Sequence, residues 1–282
     1  MMQFVMHSYT FRNYSLEEAF RSARRFGWEG IELQPCHFNR DRIEEELPAA
    51  IAMGERYNVP VVCVDFGGDF ISDDATVRAR AIADMERDIE VCSKNGVRLM
   101  NGCAGMLTCG SEDWGENGSA LATDEHYARA AEAFRHLGIL AAEHCMRIVF
   151  EIHMNTIHDT IASTARLLDA IALENVMANP DPGNMFATST AERDPAELDL
   201  LAGRIGYFHL KNCTKCCQGY DYSVKLTEGQ IDLYAWVAKL ADQGYNGRIC
   251  VEYCGQGDPH AAAQIDAAYV QGMRTWIAEA RG

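Results

Sequence analysis

RIVFE (147–151) is a short apolar run that stops on a carboxylate, and three later runs repeat the pattern: VMANPD (176–181), IGYFH (205–209) and RICVE (248–252). Each has the length of a buried strand rather than of a helix. Each also ends on a side chain able to hold a cation or move a proton: Glu151, Asp181, His209 and Glu252. Donors arriving from one strand end after another are what a (β/α)8 barrel offers, because its chemistry gathers at the C-terminal mouth.

Upstream, QFVMH (3–7), GIELQ (30–34), VPVVCVDF (59–66) and VRLMN (97–101) bring the β-type runs to eight. Helical spacing fills the gaps. Ser15 caps LEEAFRSARRF with Glu18 three residues on, and further helices are predicted at Thr76–Lys94, Thr123–Cys145, Ser163–Ala172, Pro195–Ala202, Leu233–Gln243 and Ala261–Ala280. Gly27, Gly96, Gly138, Gly203 and Gly244 are expected near helix ends. Eight strand–helix units without a break in composition predict one α/β domain over residues 1–282, a single (β/α)8 TIM barrel. A doubly wound open sheet shares the alternation. Such a sheet collects its ligands at one switch point, however, whereas these donors come from four successive strands.

The chain has 282 residues, a suitable length for this barrel, and no apolar stretch long enough to span a bilayer. The opening MMQFVMHSYT reads as a first strand and not a signal peptide. A formal net charge of −16 argues against nucleic acid as a partner. Eleven scattered cysteines fit reduced, mostly buried thiols, and the location expected is the cytoplasm.

Period-2 alternation decides which neighbours share a face. If Glu151 points inward so does His153; Asp181 brings Asn179, His209 brings Lys211, and Glu252 brings Cys250 and Cys254, while Ile152, Leu210 and Val251 face outward. Three carboxylates and an imidazole make a hard, oxygen-rich donor set for one divalent cation. Clustered without a cation, the carboxylates would repel one another.

The segments FEIHMNTIHDT (150–160), NPDPGNM (179–185), FHLKN (208–212), TEGQID (227–232) and GYNGRICVEY (244–253), with FGWEGIEL (26–33), resemble the xylose isomerase-like TIM-barrel superfamily, and within it the sugar phosphate isomerase/epimerase group. The resemblance covers nearly the whole chain. It implies one divalent cation, Mn²⁺, Mg²⁺ or Co²⁺ with Zn²⁺ also compatible, held by Glu151, Asp181, His209 and Glu252. It further implies that Glu151 and Glu252 act as acid and base on a metal-bound enediolate. Locally, EIHMNTIHDT with HLKN looks like the 3-dehydroshikimate and inosose dehydratases, which would place His153 and Lys211 in the active site. The stretch CTKCCQGYDYSVKL lacks the arginine typical of ketose epimerases.

Substrate contacts are expected from Glu32, Arg98, His158 and Trp114, the last within the long connection 102–124; a structural salt bridge is the competing reading for Glu32 and Arg98. That connection reads either as a functional loop or as a flexible excursion. Asp159 is a plausible helix cap, and His7 and Tyr9 close the first strand. Cys213-x-x-Cys216-Cys217 lacks the second pair a structural zinc site needs. The expected function is a metal-dependent isomerase/epimerase acting on a small polyhydroxylated carbonyl compound, with a lyase/dehydratase as the alternative. Less favoured are a nuclease of the same fold and a non-catalytic partner subunit; a homo-oligomer is admitted by the resemblance alone.

Overall fold

The computed structural model describes residues 2–188, 193–217 and 219–281. In chain order the elements are β1 (Gln3–His7), α1 (Leu16–Phe26), β2 (Ile31–Leu33), α2 (Ile43–Tyr57), β3 (Val61–Phe66), α3 (Ala75–Lys94), β4 (Leu99–Gly102), α4 (Asp124–Glu143), β5 (Arg147–Glu151), α5 (Ile161–Ile171), β6 (Val176–Asn179), α6 (Pro182–Thr188), β7 (Phe208–Leu210), β8 (Thr214–Cys216), β9 (Gly219–Asp221), α7 (Leu233–Asp242), β10 (Arg248–Val251) and α8 (Pro259–Arg281). The eight expected strands are all present. They form one sheet in the order β6-β5-β4-β3-β2-β1-β10-β7, while β8 and β9 make a separate hairpin. Chain order is kept from β1 to β6 with no reversal, so the open doubly wound sheet, which requires a switch point, is excluded.

Two compact units divide the chain: Met1–Val62 with Phe208–Gly282, and Cys63–Tyr207. In the first, β2, β1, β10 and β7 pair in parallel, with His7 level with Glu32 and Cys250 level with His209. Ser15 Oγ accepts the Glu18 N–H at 3.3 Å to start α1, and Gly27 ends it at φ +83°. Ala19, Phe20 and Ala23 are its fully buried face. Helix α2 is not among the helices expected from sequence, and it carries Pro48 inside it. Buried Ile43, Leu47, Ala50 and Gly54 hold it in place despite the lost backbone bond.

In the second unit β3, β4, β5 and β6 pair in parallel, with Glu151 level with Asn179. Gly138 lies inside α4 rather than near its end. A Cβ there would come within 2.6 Å of Leu173 Cδ1 and 2.7 Å of Val176 Cγ2, so the glycine permits close packing. Pro195–Leu201 is a 3-10 helix capped by Asp194 instead of the expected α-helix. Thr160, not Asp159, caps α5.

The connection after β4 is fastened and not a loose excursion. Leu107 N–H donates to Asn155 O at 2.8 Å, Ile157 N–H to Gly105 O at 3.2 Å, and Ser119 N–H to Asp159 Oδ2 at 3.2 Å. Of the eleven free cysteines, Cys63, Cys92, Cys213 and Cys250 are buried, whereas Cys36, Cys109, Cys145, Cys216 and Cys217 are exposed. The expectation of mostly buried thiols is thereby corrected: the exposed ones sit in connections and on the β8–β9 hairpin. Among the described residues no helix is long and apolar enough to cross a membrane.

Candidate active site

In the second unit Glu151 is the last residue of β5, and its two oxygens have separate donors. Oε2 accepts from Asn101 Nδ2 at 3.2 Å and Oε1 from Asn184 Nδ2 at 3.0 Å. Asn101, on β4, accepts in turn from Asn179 Nδ2 at 2.9 Å, so three adjacent strands contribute to one amide–carboxylate chain. Asp181 lies two residues past β6, after Pro180, and immediately precedes α6. Its Oδ1 accepts the N–H of Gly183 at 2.8 Å and of Asn184 at 3.2 Å, and its Oδ2 accepts from Asn184 Nδ2 at 3.1 Å. One amide group, that of Asn184, therefore ties Glu151 to Asp181. Carboxylates gripped this way are pre-oriented acceptors whose remaining lone pairs suit a hard cation.

His153 is half-buried, and its Nδ1 lies 3.0 Å from the Met154 carbonyl. A carbonyl only accepts, so Nδ1 carries the proton and Nε2 is left as the basic nitrogen.

In the first unit His209, Lys211 and Glu252 come from β7 and the end of β10. Lys211 Nζ donates to Glu252 Oε2 at 2.7 Å, with side-chain exposures of 6 % and 11 %. His209 Nε2 lies 2.9 Å from Glu32 Oε2, both side chains fully buried. His7 stands between the two acids, its Nε2 3.9 Å from Glu32 Oε1 and its Nδ1 3.8 Å from Glu252 Oε1. Its ring meets His209 edge-on at 5.4 Å. His7, Glu32 and His209 each offer a ligand atom within 4.8 Å of the others, a group that can hold a metal ion.

The expected substrate contacts fare differently. Arg98 is exposed and precedes β4, where its guanidinium donates to the carbonyls of Ser93 at 2.8 Å and Val97 at 3.1 Å. It stands at the end of that strand opposite Asn101, where these bonds tie it to the preceding turn. His158 is fully buried. Its Nε2 accepts the Ala104 N–H at 3.0 Å and Nδ1 lies 3.3 Å from Thr156 Oγ1. Burial pushes its pKa down to about 4, so the ring is neutral and serves to tie two loops together. Glu32, expected to meet substrate, is enclosed against His209 and Gln34 instead. Trp114 is half-buried in a 3-10 turn packed beside α6.

Sequence reasoning passed over Asn101 and Asn184. Asn101 ends the expected fourth strand, and Asn184 lies in NPDPGNM, so both were within view of the strand-end rule.

The family model for the xylose isomerase-like TIM barrel matches residues 20–279. No curated protein sequence matches the chain. Among solved structures, the fold is similar to that of the probable 3-DHS dehydratase AsbF of Bacillus anthracis (18 % identity, 96 % of this chain and 99 % of that one, TM-score 0.77). It is also similar to an L-ribulose 3-epimerase (19 %, 100 % and 97 %, 0.79). A third is a xylose isomerase-like TIM barrel protein of Mycobacterium smegmatis in complex with magnesium (14 %, 98 % and 98 %, 0.77). At these identities the likeness speaks for the fold. With its eight parallel strands and flanking helices, the chain belongs to the xylose isomerase-like TIM barrel family.

Proposed function

We propose that the protein is a divalent-metal-dependent sugar isomerase or epimerase that moves a proton next to a carbonyl. In this reading Glu151, Asp181, His209 and Glu252, a group able to hold a metal ion, share one cation such as Mn²⁺, Mg²⁺ or Co²⁺. The donor set fits that assignment: three hard carboxylates and one imidazole, two of the acids already gripped by Asn184. A cation bound there would polarise a carbonyl and its neighbouring hydroxyl and acidify the C–H between them.

The observation that carries the reading is the unlike environment of the two strand-end glutamates. Glu151 is held by two neutral amides, whereas Glu252 is held by the Lys211 ammonium. Such a difference suits one carboxylate to take a proton and the other to return it. The amides of Asn101, Asn179 and Asn184 make the second unit's share of the site polar and neutral, which suits a small polyhydroxylated carbonyl substrate. The net charge of −16 disfavours nucleic acid, and eleven free thiols fit the cytoplasm.

Elimination is the second reading, and Lys211 supports it. Its ammonium, 5.5 Å from the Tyr222 ring, is a nearly buried proton donor able to assist a departing β-hydroxyl. The likeness to a probable 3-DHS dehydratase agrees with it. Incubating the Mn²⁺-loaded protein with ketoses, keto-cyclitols and dehydroshikimate in D₂O separates the two. An epimer carrying deuterium supports the first reading, and a dehydrated conjugated product the second. Lys211→Met strips Glu252 of its cation and should lower the exchange rate by about 10²–10⁴-fold. Absence of both metal uptake and exchange refutes the proposal.

A further inference from the structure

Of the two nitrogens of His209, one faces a carboxylate. Nε2 lies 2.9 Å from Glu32 Oε2, and neither side chain has any exposed surface. Glu32 is itself held in place: Oε1 accepts from Gln34 Nε2 at 3.1 Å, and His7 Nε2 stands 3.9 Å from the same oxygen. The backbones that present these groups are paired strands, with His7 level with Glu32 across β1 and β2. An ionised carboxylate is an acceptor only, so the proton of a neutral His209 resides on Nε2 and its lone pair on Nδ1.

We infer that Glu32 is a positioning residue for His209: it fixes the Nε2–H tautomer and the ring orientation, so that Nδ1 is the atom presented to a divalent cation. The inference rests on the reading above, in which His209 is a ligand. A carboxylate behind a ligating imidazole raises the basicity of the nitrogen on the far side and removes the freedom of the ring to flip. The edge contact of the His7 ring, 5.4 Å between centroids, closes another side of the imidazole. Both features act through His209, which is why Glu32 needs no exposure of its own.

Glu32→Gln keeps the shape and removes the charge, and its amide can donate where the carboxylate only accepted. In wild-type apoprotein with ¹⁵N-labelled imidazoles, His209 should show its proton on Nε2; the Glu32→Gln protein should show loss of that single tautomer. Mn²⁺ affinity by calorimetry should fall by about 10–100-fold, at one ion per chain. A wild-type His209 protonated at Nδ1, unchanged Mn²⁺ affinity in Glu32→Gln, or two ions per chain with one held by His7, Glu32 and His209 would overturn the inference and leave the functional reading standing. A wild-type protein that binds no Mn²⁺ refutes both. The tautomer measurement on wild type needs no variant, so it decides the matter even if Glu32→Gln fails to fold.

Discussion

Asp266, on α8, is 1 % exposed, and its Oδ1 accepts the Leu226 N–H at 2.9 Å. Burial raises its pKa from 3.8 to about 7, with the Leu226 bond and Lys225 pulling the other way. The folded chain thus holds a proton that the unfolded chain releases. The stability due to the neutral carboxyl is complete below about pH 4 and is lost as pH rises through about 7. About three units at 1.36 kcal/mol each amount to about 4 kcal/mol at pH 8, and about 2 kcal/mol of that is already lost at pH 5. Asp266→Asn removes the titration while its side-chain oxygen still accepts from Leu226. We expect the variant to exceed its parent in stability by about 4 kcal/mol at pH 8 and by about 2 kcal/mol at pH 5, read from urea unfolding at both values. His158, whose pKa is lowered to about 4, loses stability as pH falls below 6.5, but it does so in both proteins and cancels in the difference. A variant-minus-parent difference that is the same at the two pH values would refute the argument. The contact also bears on the site: Leu226 O accepts from Asn212 Nδ2 at 2.8 Å, and Asn212 directly follows Lys211.

Two further outcomes follow from local geometry. Asn184→Ala removes the amide shared by Glu151 and Asp181, and Mn²⁺ affinity measured by chelator competition should drop about 10–100-fold; an unchanged affinity would show that the bridge does not orient the ligands. Gly118 has φ +57°, and a Cβ there would lie 2.1 Å from Asp159 Oδ2. Gly118→Ala should therefore cost about 2 kcal/mol or more and open the 102–124 connection to proteolysis, whereas wild-type resistance would mean the loop has another seat.

The strands were legible because a buried parallel strand is a short apolar run with a polar end, a signal that survives without any knowledge of its neighbours. The same rule marked Glu151, Asp181, His209 and Glu252 as strand-end groups. It also contained the answer for Arg98, which stands at the start of its run and not at the end. Helix α2 was not among the expected helices; it carries Pro48, a residue unfavourable to helix by propensity, and is kept going by burial that local propensity does not report.

By itself the sequence determined where the eight strands lie along the chain, the identity of the polar groups at their ends and the acidic net charge. Only tertiary structure decided what each polar group faces. Glu32 and His209 are 177 residues apart and touch. Lys211 reaches Glu252, Asn184 joins two carboxylates, and His158 is sealed between loops it holds together. Periodicity is a property of neighbouring residues and reports which way a side chain points. A hydrogen-bond partner is set by the packing of distant strands, and no local pattern encodes it.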